Sequence, residues 1–251
     1  MKIIAMIPAR YAATRFPYKL MQLLGNKTII RSTYENTVAT DLFDDVFVVT
    51  DHQIIFDEIT DHGGKAIMSK GNHESGSDRI AEAVTDMDAD IVLNVQGDEP
   101  FVNKIMLESL LDVFKNDHEY KIQVASPVKK ITDPDHIINP NIVKVAVDKN
   151  MNSLLFSRSV IPCQRDQNSA ITYYEHVGVY AFRKEALLRF TKWEMTPLEI
   201  AEKIECLRYL ENGVQLRMVE TEDDIIKVDV PEDLVKAEAF MKYYMQESNR
   251  L

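Results

Sequence analysis

Three cations, Arg10, Arg15 and Lys19, stand within ten residues near the start of the chain, in the stretch PARYAATRFPYK over residues 8–19. They directly follow an apolar run, residues 2–7 (KIIAMI). A loop of that composition suits a polyanion, and a nucleoside triphosphate is the obvious candidate. Residues 8–19 contain no glycine, so neither GxxxxGK(S/T) nor GxGxxG occurs there, and side chains with any exposed amides must hold the phosphates. The competing reading is three surface cations clustered by chance. Their place on a loop directly after a core strand weighs against it.

A second group is Asn94-Val95-Gln96-Gly97-Asp98-Glu99-Pro100, which ends another apolar run. A carboxylate at the C-terminal edge of such a strand is placed to hold Mg²⁺ against triphosphate oxygens. Gly97 allows close backbone approach, and Gln96 offers both a donor and an acceptor. QGDEP is also good turn chemistry. Asp229, within residues 225–233 (IIKVDVPED), is a second carboxylate between short apolar residues, and two aspartates match what Mg²⁺ takes from a protein. In HESGSDR, residues 73–79, Ser75 and its neighbours form a helix entry able to present amides to a ligand. Arg79 would there oppose the helix dipole unless it faces an acceptor, and a solvated arginine is an equal reading. Arg158, His176, Tyr180 and Glu205 are scattered polar residues of the second half. His176 and Tyr180, four apart, share a face on a strand, although a histidine in an aromatic strand is more often a core residue.

The elements that must position these groups follow from periodicity. Residues 2–7, 45–50, 65–69 and 91–95 read as strands, and 28–40, 53–62 and 77–86 as helices, with Asp51-His52 as a cap. Such alternation predicts an α/β fold: a Rossmann-like, mostly parallel central sheet with helices on both faces. Ligands then lie at the C-terminal strand ends. The second half predicts strands at 123–128, 143–147, 153–157, 172–182 and 215–219, and a helix over 198–210 ended by Asn212-Gly213. Residues 163–172 predict a mobile polar loop, and Pro231 opens a terminal helix at N1. The expected organisation is a single domain, 1–251, with a smaller lobe contributed by roughly 125–215.

The 251 residues carry 29 basic and 40 acidic side chains, a net charge of −11. That disfavours sequence-independent binding to nucleic acid or to an anionic membrane surface, while leaving a local phosphate site open. Two cysteines, Cys163 and Cys206, point away from a disulfide framework and toward a reducing, cytoplasmic setting. A chain opening on a core strand is not expected to carry a signal peptide, and no run approaches the ~20 apolar residues of a spanning helix.

The segments IPARYAATRFPYKL, HESGSDRIAEA, VLNVQGDEP, NPNIVKV, LLFSRSVIP, YEHVGVYAFR, EKIECLRYLENG and VDVPEDL, in that order, resemble the 3-deoxy-D-manno-octulosonate (Kdo) cytidylyltransferase family through nearly the whole chain. The resemblance implies a homodimeric, Mg²⁺-dependent nucleotidyltransferase that makes CMP-Kdo and diphosphate from CTP and Kdo for lipopolysaccharide. It implies that Arg10, Thr14 and Lys19 bind the CTP phosphates, with Arg79 near the cytosine and Ser75 a further CTP-binding residue. Asp98 and Asp229 would hold the metal, and with Lys19 form the catalytic group. Arg15, Gln96, Arg158, His176, Tyr180 and Glu205 would line the sugar site, Arg158 facing the sugar carboxylate. Two departures stand out. Where the family has RLPGKPL, this chain places Tyr18 and Leu20 at the glycine and the second proline; where it has glutamine after the glutamate, this chain has Cys206. The second departure predicts an altered sugar contact and opens an alternative, a Kdo variant such as amino-Kdo or another acidic sugar. A GT-A glycosyltransferase is a further class, but QGDEP lacks the Asp-x-Asp spacing. A non-catalytic nucleotide-binding module sits poorly with both carboxylates.

Overall fold

The computed structural model describes residues 1–12, 16–71, 73, 75–166, 168–222 and 226–248, with side chains to 242. In chain order the elements are β1 (Ile3–Ala9), a 3₁₀ turn (Lys19–Met21), β2 (Leu23–Leu24), β3 (Lys27–Thr28), α1 (Ile29–Ala39), β4 (Asp45–Thr50), α2 (Gln53–Thr60), β5 (Ala66–Met68), α3 (Gly76–Val84) and β6 (Ile91–Asn94). Then follow α4 (Lys104–Lys115), β7 (Val124–Lys130), α5 (Pro134–Ile138), β8 (Lys144–Val147), β9 (Ser153–Ser157), β10 (Tyr174–His176) and β11 (Tyr180–Arg183). The chain ends with α6 (Lys184–Phe190), α7 (Pro197–Glu202), α8 (Leu207–Glu211), β12 (Arg217–Thr221) and α9 (Pro231–Ser248). Two compact units are formed: Met1–Ala89, Leu93–Lys104 and Asp224–Leu251 make the first, Asp90–Val92 and Ile105–Asp223 the second. The fold is the mixed, mostly parallel α/β class expected from the sequence.

In the first unit β1 lies between β4 and β6, and β5 flanks β4. The β1–β4 and β4–β5 pairs are parallel, with Ala9 opposite Thr50 and Thr50 opposite Met68. Residues Ile4 to Ile7 are buried on both faces, as an unbroken apolar run in a parallel sheet requires. The loops after β1, β4 and β5 therefore leave from one edge of the sheet. Local chemistry sets the helix starts. Thr28 caps α1 by accepting from Arg31 N, His52 caps α2 through Nδ1, and Ser75 caps α3 by accepting from Asp78 N.

The second unit is built around β7, antiparallel to β10 and β11 and parallel to β12, with β8 antiparallel to both β10 and β9. Two expectations are corrected here. The single strand over 172–182 is two strands. His176 pairs with Val128 and Ala181 with Ala125, so five steps on one side match three on β7, a bulge of two residues. Ser126 Oγ fills it, 3.0 and 2.8 Å from the carbonyls of Val177 and Val179. Likewise the helix over 198–210 is two short helices, α7 being capped by Lys203 with φ 55. The break lets Arg208 Nε and Nη2 grip Glu199 Oε2 and Oε1 at 2.8 and 2.6 Å, both residues being buried. On one continuous helix these residues, nine apart, would project from opposite sides.

Candidate active site

The centre of the first unit's chemistry is one ammonium between two carboxylates. Lys19 Nζ lies 2.5 Å from Asp98 Oδ2 and 2.8 Å from Asp229 Oδ1. Three separate pieces of chain bring them there. Lys19 starts the 3₁₀ turn behind Tyr18, whose φ of 56 is the left-handed conformation that favours glycine. Asp98 sits in the loop after β6, where Thr33 Oγ1 of α1 donates to the Gly97 carbonyl and Asn36 Nδ2 to that of Pro100. A Cβ at Gly97 would stand 3.0 Å from the Pro8 carbonyl and 3.2 Å from Ile30, so glycine is what allows this loop to close on β1. Asp229 is fixed by Val228 N donating to the Asp98 carbonyl, and by its own amide donating to Asp233 Oδ2 in the first turn of α9.

These residues line a cavity of about 350 Å³ whose walls also include Arg10, Gly76 and Gln96. Gly76, the first residue of α3, brings a helix N-terminus to the cavity, where backbone amides favour an anion. Gly76 packs against Pro8, whose Cγ a Cβ would meet at 3.1 Å. Arg10 donates to the His73 carbonyl at 3.0 Å and Gln96 Nε2 to Asn94 Oδ1 at 3.3 Å. Ser75 is engaged with Asp78 as the α3 cap. Arg79 is buried, with Nη2 2.7 Å from Asp51 Oδ2 and Nη1 2.7 Å from Ser69 Oγ. It thereby faces the acceptors its position in the first turn demands. Glu82 accepts from the amides of Lys70 and Gly71 and meets His73 Nε2, so α3 holds the loop that leads into it. Thr14 and Arg15 lie outside the described residues.

The donor set fits Mg²⁺. Two hard carboxylate oxygens converge on one cationic point, and two protein oxygens leave the remaining positions to phosphate and water. No group of three or more His, Cys, Asp or Glu suited to a metal occurs among the described residues. Two further groups complete the electrostatics, and sequence reasoning assigned a role to neither. Lys227 Nζ stands 3.9 Å from Asp98 Oδ2 and 3.8 Å from Asp229 Oδ2; its position two before Asp229 was the available signal. Glu99 is buried, and burial, followed by the neighbouring Asp98 charge, raises its carboxyl from 4.5 to about 8. It therefore carries a proton at neutral pH.

In the second unit three of the four scattered residues come together. The rings of His176 and Tyr180 lie 5.3 Å apart, with His176 Nε2 3.0 Å from Ser126 Oγ. The bulge between them adds an even number of residues and so preserves their shared side. Burial lowers His176 from 6.5 to about 4, leaving a neutral imidazole. The Tyr180 phenol is hydrogen-bonded to the Cys206 thiol, burial raises both groups, and the Glu205 charge adds to each shift. Cys206 itself is 1% exposed, so its thiol is spent inside the unit. Arg158 is engaged with backbone carbonyls: Nε donates to that of Glu202 at 2.8 Å and Nη1 to that of Pro140 at 3.0 Å.

A sequence model described as cytidylyltransferase matches residues 4–223. The 3-deoxy-manno-octulosonate cytidylyltransferase of Flavobacterium johnsoniae is 59% identical over 242 residues, covering 96% of this chain and 99% of that protein. The protein of the same name from Christiangramia forsetii is 55% identical over 236 residues, covering 94% of this chain and 95% of its own. A solved structure of a CMP:2-keto-3-deoxy-manno-octonic acid synthetase complexed with CTP superposes with a TM-score of 0.92 at 34% identity, over 97% of this chain and 100% of that one.

Proposed function

The chain belongs to the cytidylyltransferase family, and from that premise we propose that it transfers CMP from CTP to the anomeric hydroxyl of Kdo, releasing diphosphate and supplying CMP-Kdo for lipopolysaccharide. The observation that carries the reading is the meeting of Lys19, Asp98 and Asp229 in a cavity walled by Arg10, Gly76 and Gln96. The sugar oxygen attacks the α-phosphorus, the bond to the β-phosphate oxygen breaks, and the hydroxyl proton leaves to solvent. Little covalent work falls to the protein, so positioning and charge neutralisation set the rate. Arg10 and Lys19 supply positive charge to the triphosphate and the departing diphosphate, and the α3 N-terminus supplies amides. Asp98 and Asp229 would hold Mg²⁺, which when bound polarises the phosphate under attack.

Thr14 completes the phosphate contacts in this reading, Ser75 is a further CTP contact, and Arg79 is the residue toward the cytosine. Its bond to Asp51 makes that role one of orienting the loop. The sugar is assigned to Arg15, Gln96, Arg158, His176, Tyr180 and Glu205, with the Arg158 guanidinium toward the carboxylate. Kdo is favoured over its amino variant, because Cys206, the departure that raised the variant, is satisfied internally by Tyr180. The homodimer is part of the proposal. It is supported by apolar residues left exposed on the second unit, Leu154 at 55%, Leu198 at 44% and Ile200 at 49%. Among the described residues no helix is long and apolar enough to cross a membrane. A cytoplasmic site of action, where CTP is at hand, is proposed with it.

Incubation with CTP, Kdo and Mg²⁺, followed by ³¹P NMR, tests the reaction. A new sugar phosphodiester and equimolar diphosphate are expected, both lost in Asp98→Asn. Appearance of free CMP and diphosphate with no sugar phosphodiester would refute transfer to the sugar.

A further inference from the structure

The two carboxylates assigned to the metal already hold a cation, and it belongs to the chain. Lys19 Nζ is 2.5 Å from Asp98 Oδ2 and 2.8 Å from Asp229 Oδ1, close enough that a metal ion at ~2.0–2.1 Å from the same oxygens could not share the space. Lys227 Nζ adds a second positive charge at 3.8–3.9 Å. Two carboxylates thus face two ammonium groups, and their formal charges cancel. The pocket is partly shielded from water, the Lys19 and Asp98 side chains being only 16% and 11% exposed, so like-charge repulsion there is weakly screened. A dication arriving alone must displace one ammonium and approach another, with no anion to offset either.

A triphosphate changes that balance. It brings several negative charges into the cavity that Lys19 lines, and offers its ammonium acceptors other than the two aspartates. We propose that Lys19 is a place-holding cation: it closes the Asp98–Asp229 pair to metal until the phosphates of the nucleotide draw its ammonium away, so that the metal enters with or after CTP. Lys227 reinforces the block, facing the same Asp98 Oδ2 and the second carboxylate oxygen of Asp229. In the free enzyme the same contact keeps two mutually repelling carboxylates together, so the pair is assembled before the metal arrives. The inference rests on the assignment of the metal to Asp98 and Asp229.

The test is a Mn²⁺ titration of the whole chain without nucleotide or sugar, followed by the EPR signal of free Mn²⁺, with circular dichroism to check each variant's fold. Lys19→Met is expected to bind Mn²⁺ at least about tenfold more tightly than the unaltered chain, as removal of an adjacent like charge predicts. Lys227→Met is expected to show a smaller gain, and it carries the test alone if Lys19→Met fails to fold. Adding Asp98→Asn to either variant should abolish the gain. Folded variants that bind Mn²⁺ no more tightly than the unaltered chain, while Asp98→Asn still weakens binding, would overturn the place-holder and leave the metal assignment intact. A gain that survives Asp98→Asn would place the ion elsewhere and overturn both.

Discussion

Glu99 shows how far one buried residue departs from its sequence chemistry. Beside Asp98 it reads as a second acid, yet burial raises it from 4.5 to about 8 and keeps it protonated. Its folded pKa lies above the unfolded one, so between about 4.5 and about 8 the folded chain binds more protons than the unfolded chain. Stability from this group is therefore present at the low end of that window and falls as pH rises through it. Urea unfolding in the presence of chelator should show the decline in the unaltered chain and a flatter profile in Glu99→Gln, an isostere of the protonated acid. Parallel profiles would contradict a proton on Glu99. The proposed trio of Lys19, Asp98 and Asp229 was legible as three separate hints, each a charged residue on or beside a segment that follows or flanks apolar residues. That Lys19 meets partners 79 and 210 positions away was not, because spacing carries no information about contacts at that range. Arg79 makes the same point: its partner Asp51 is set by the loop after β4, not by any local pattern.

At the scale of elements, Tyr18 is the clearest consequence of a departure from the family's loop. Tyrosine occupies the position where the family has glycine and yet keeps φ at 56, with its ring 4.6 Å from that of Tyr11, which in turn stacks on His52 at 3.8 Å. The loop has kept a glycine-like path and gained an aromatic contact. Tyr18→Ala and Tyr18→Gly both lose the ring, but only alanine keeps the left-handed cost of about 1–2 kcal/mol. Urea denaturation should rank Tyr18→Gly above Tyr18→Ala by about 1 kcal/mol. The reverse order would contradict the left-handed turn that aims Lys19. The strands β1, β4, β5 and β6 and the helices α1 to α3 were legible, unlike the short β2 and β3, because buried parallel strands read as unbroken apolar runs and the helices start at Thr28, His52 and Ser75, whose side chains accept the capping amides. The second unit was harder. Its strand over 172–182 is interrupted for the sake of the Ser126 hydroxyl, and its helix over 198–210 for a Glu199–Arg208 pair. Both interruptions answer to partners far along the chain, which local periodicity does not contain.

Over the whole molecule, a net charge of −11 coexists with a cavity that gathers Arg10 and Lys19, with Lys227 near its carboxylates. Bulk charge disfavours polyanionic surfaces as partners, while local placement decides whether a small polyanion binds. Fold class and family were legible from motif order, since eight short segments in sequence constrain the answer more than any one of them. The pairing of CTP with Kdo is decided by diphosphate release. CTP, UTP and ATP would each be supplied with Mg²⁺ against Kdo, amino-Kdo, sialic acid and hexose 1-phosphates. Release is expected with CTP and Kdo, slower release with amino-Kdo, and none when Mg²⁺ is withheld. Turnover of a hexose 1-phosphate with no turnover of Kdo would contradict that pairing.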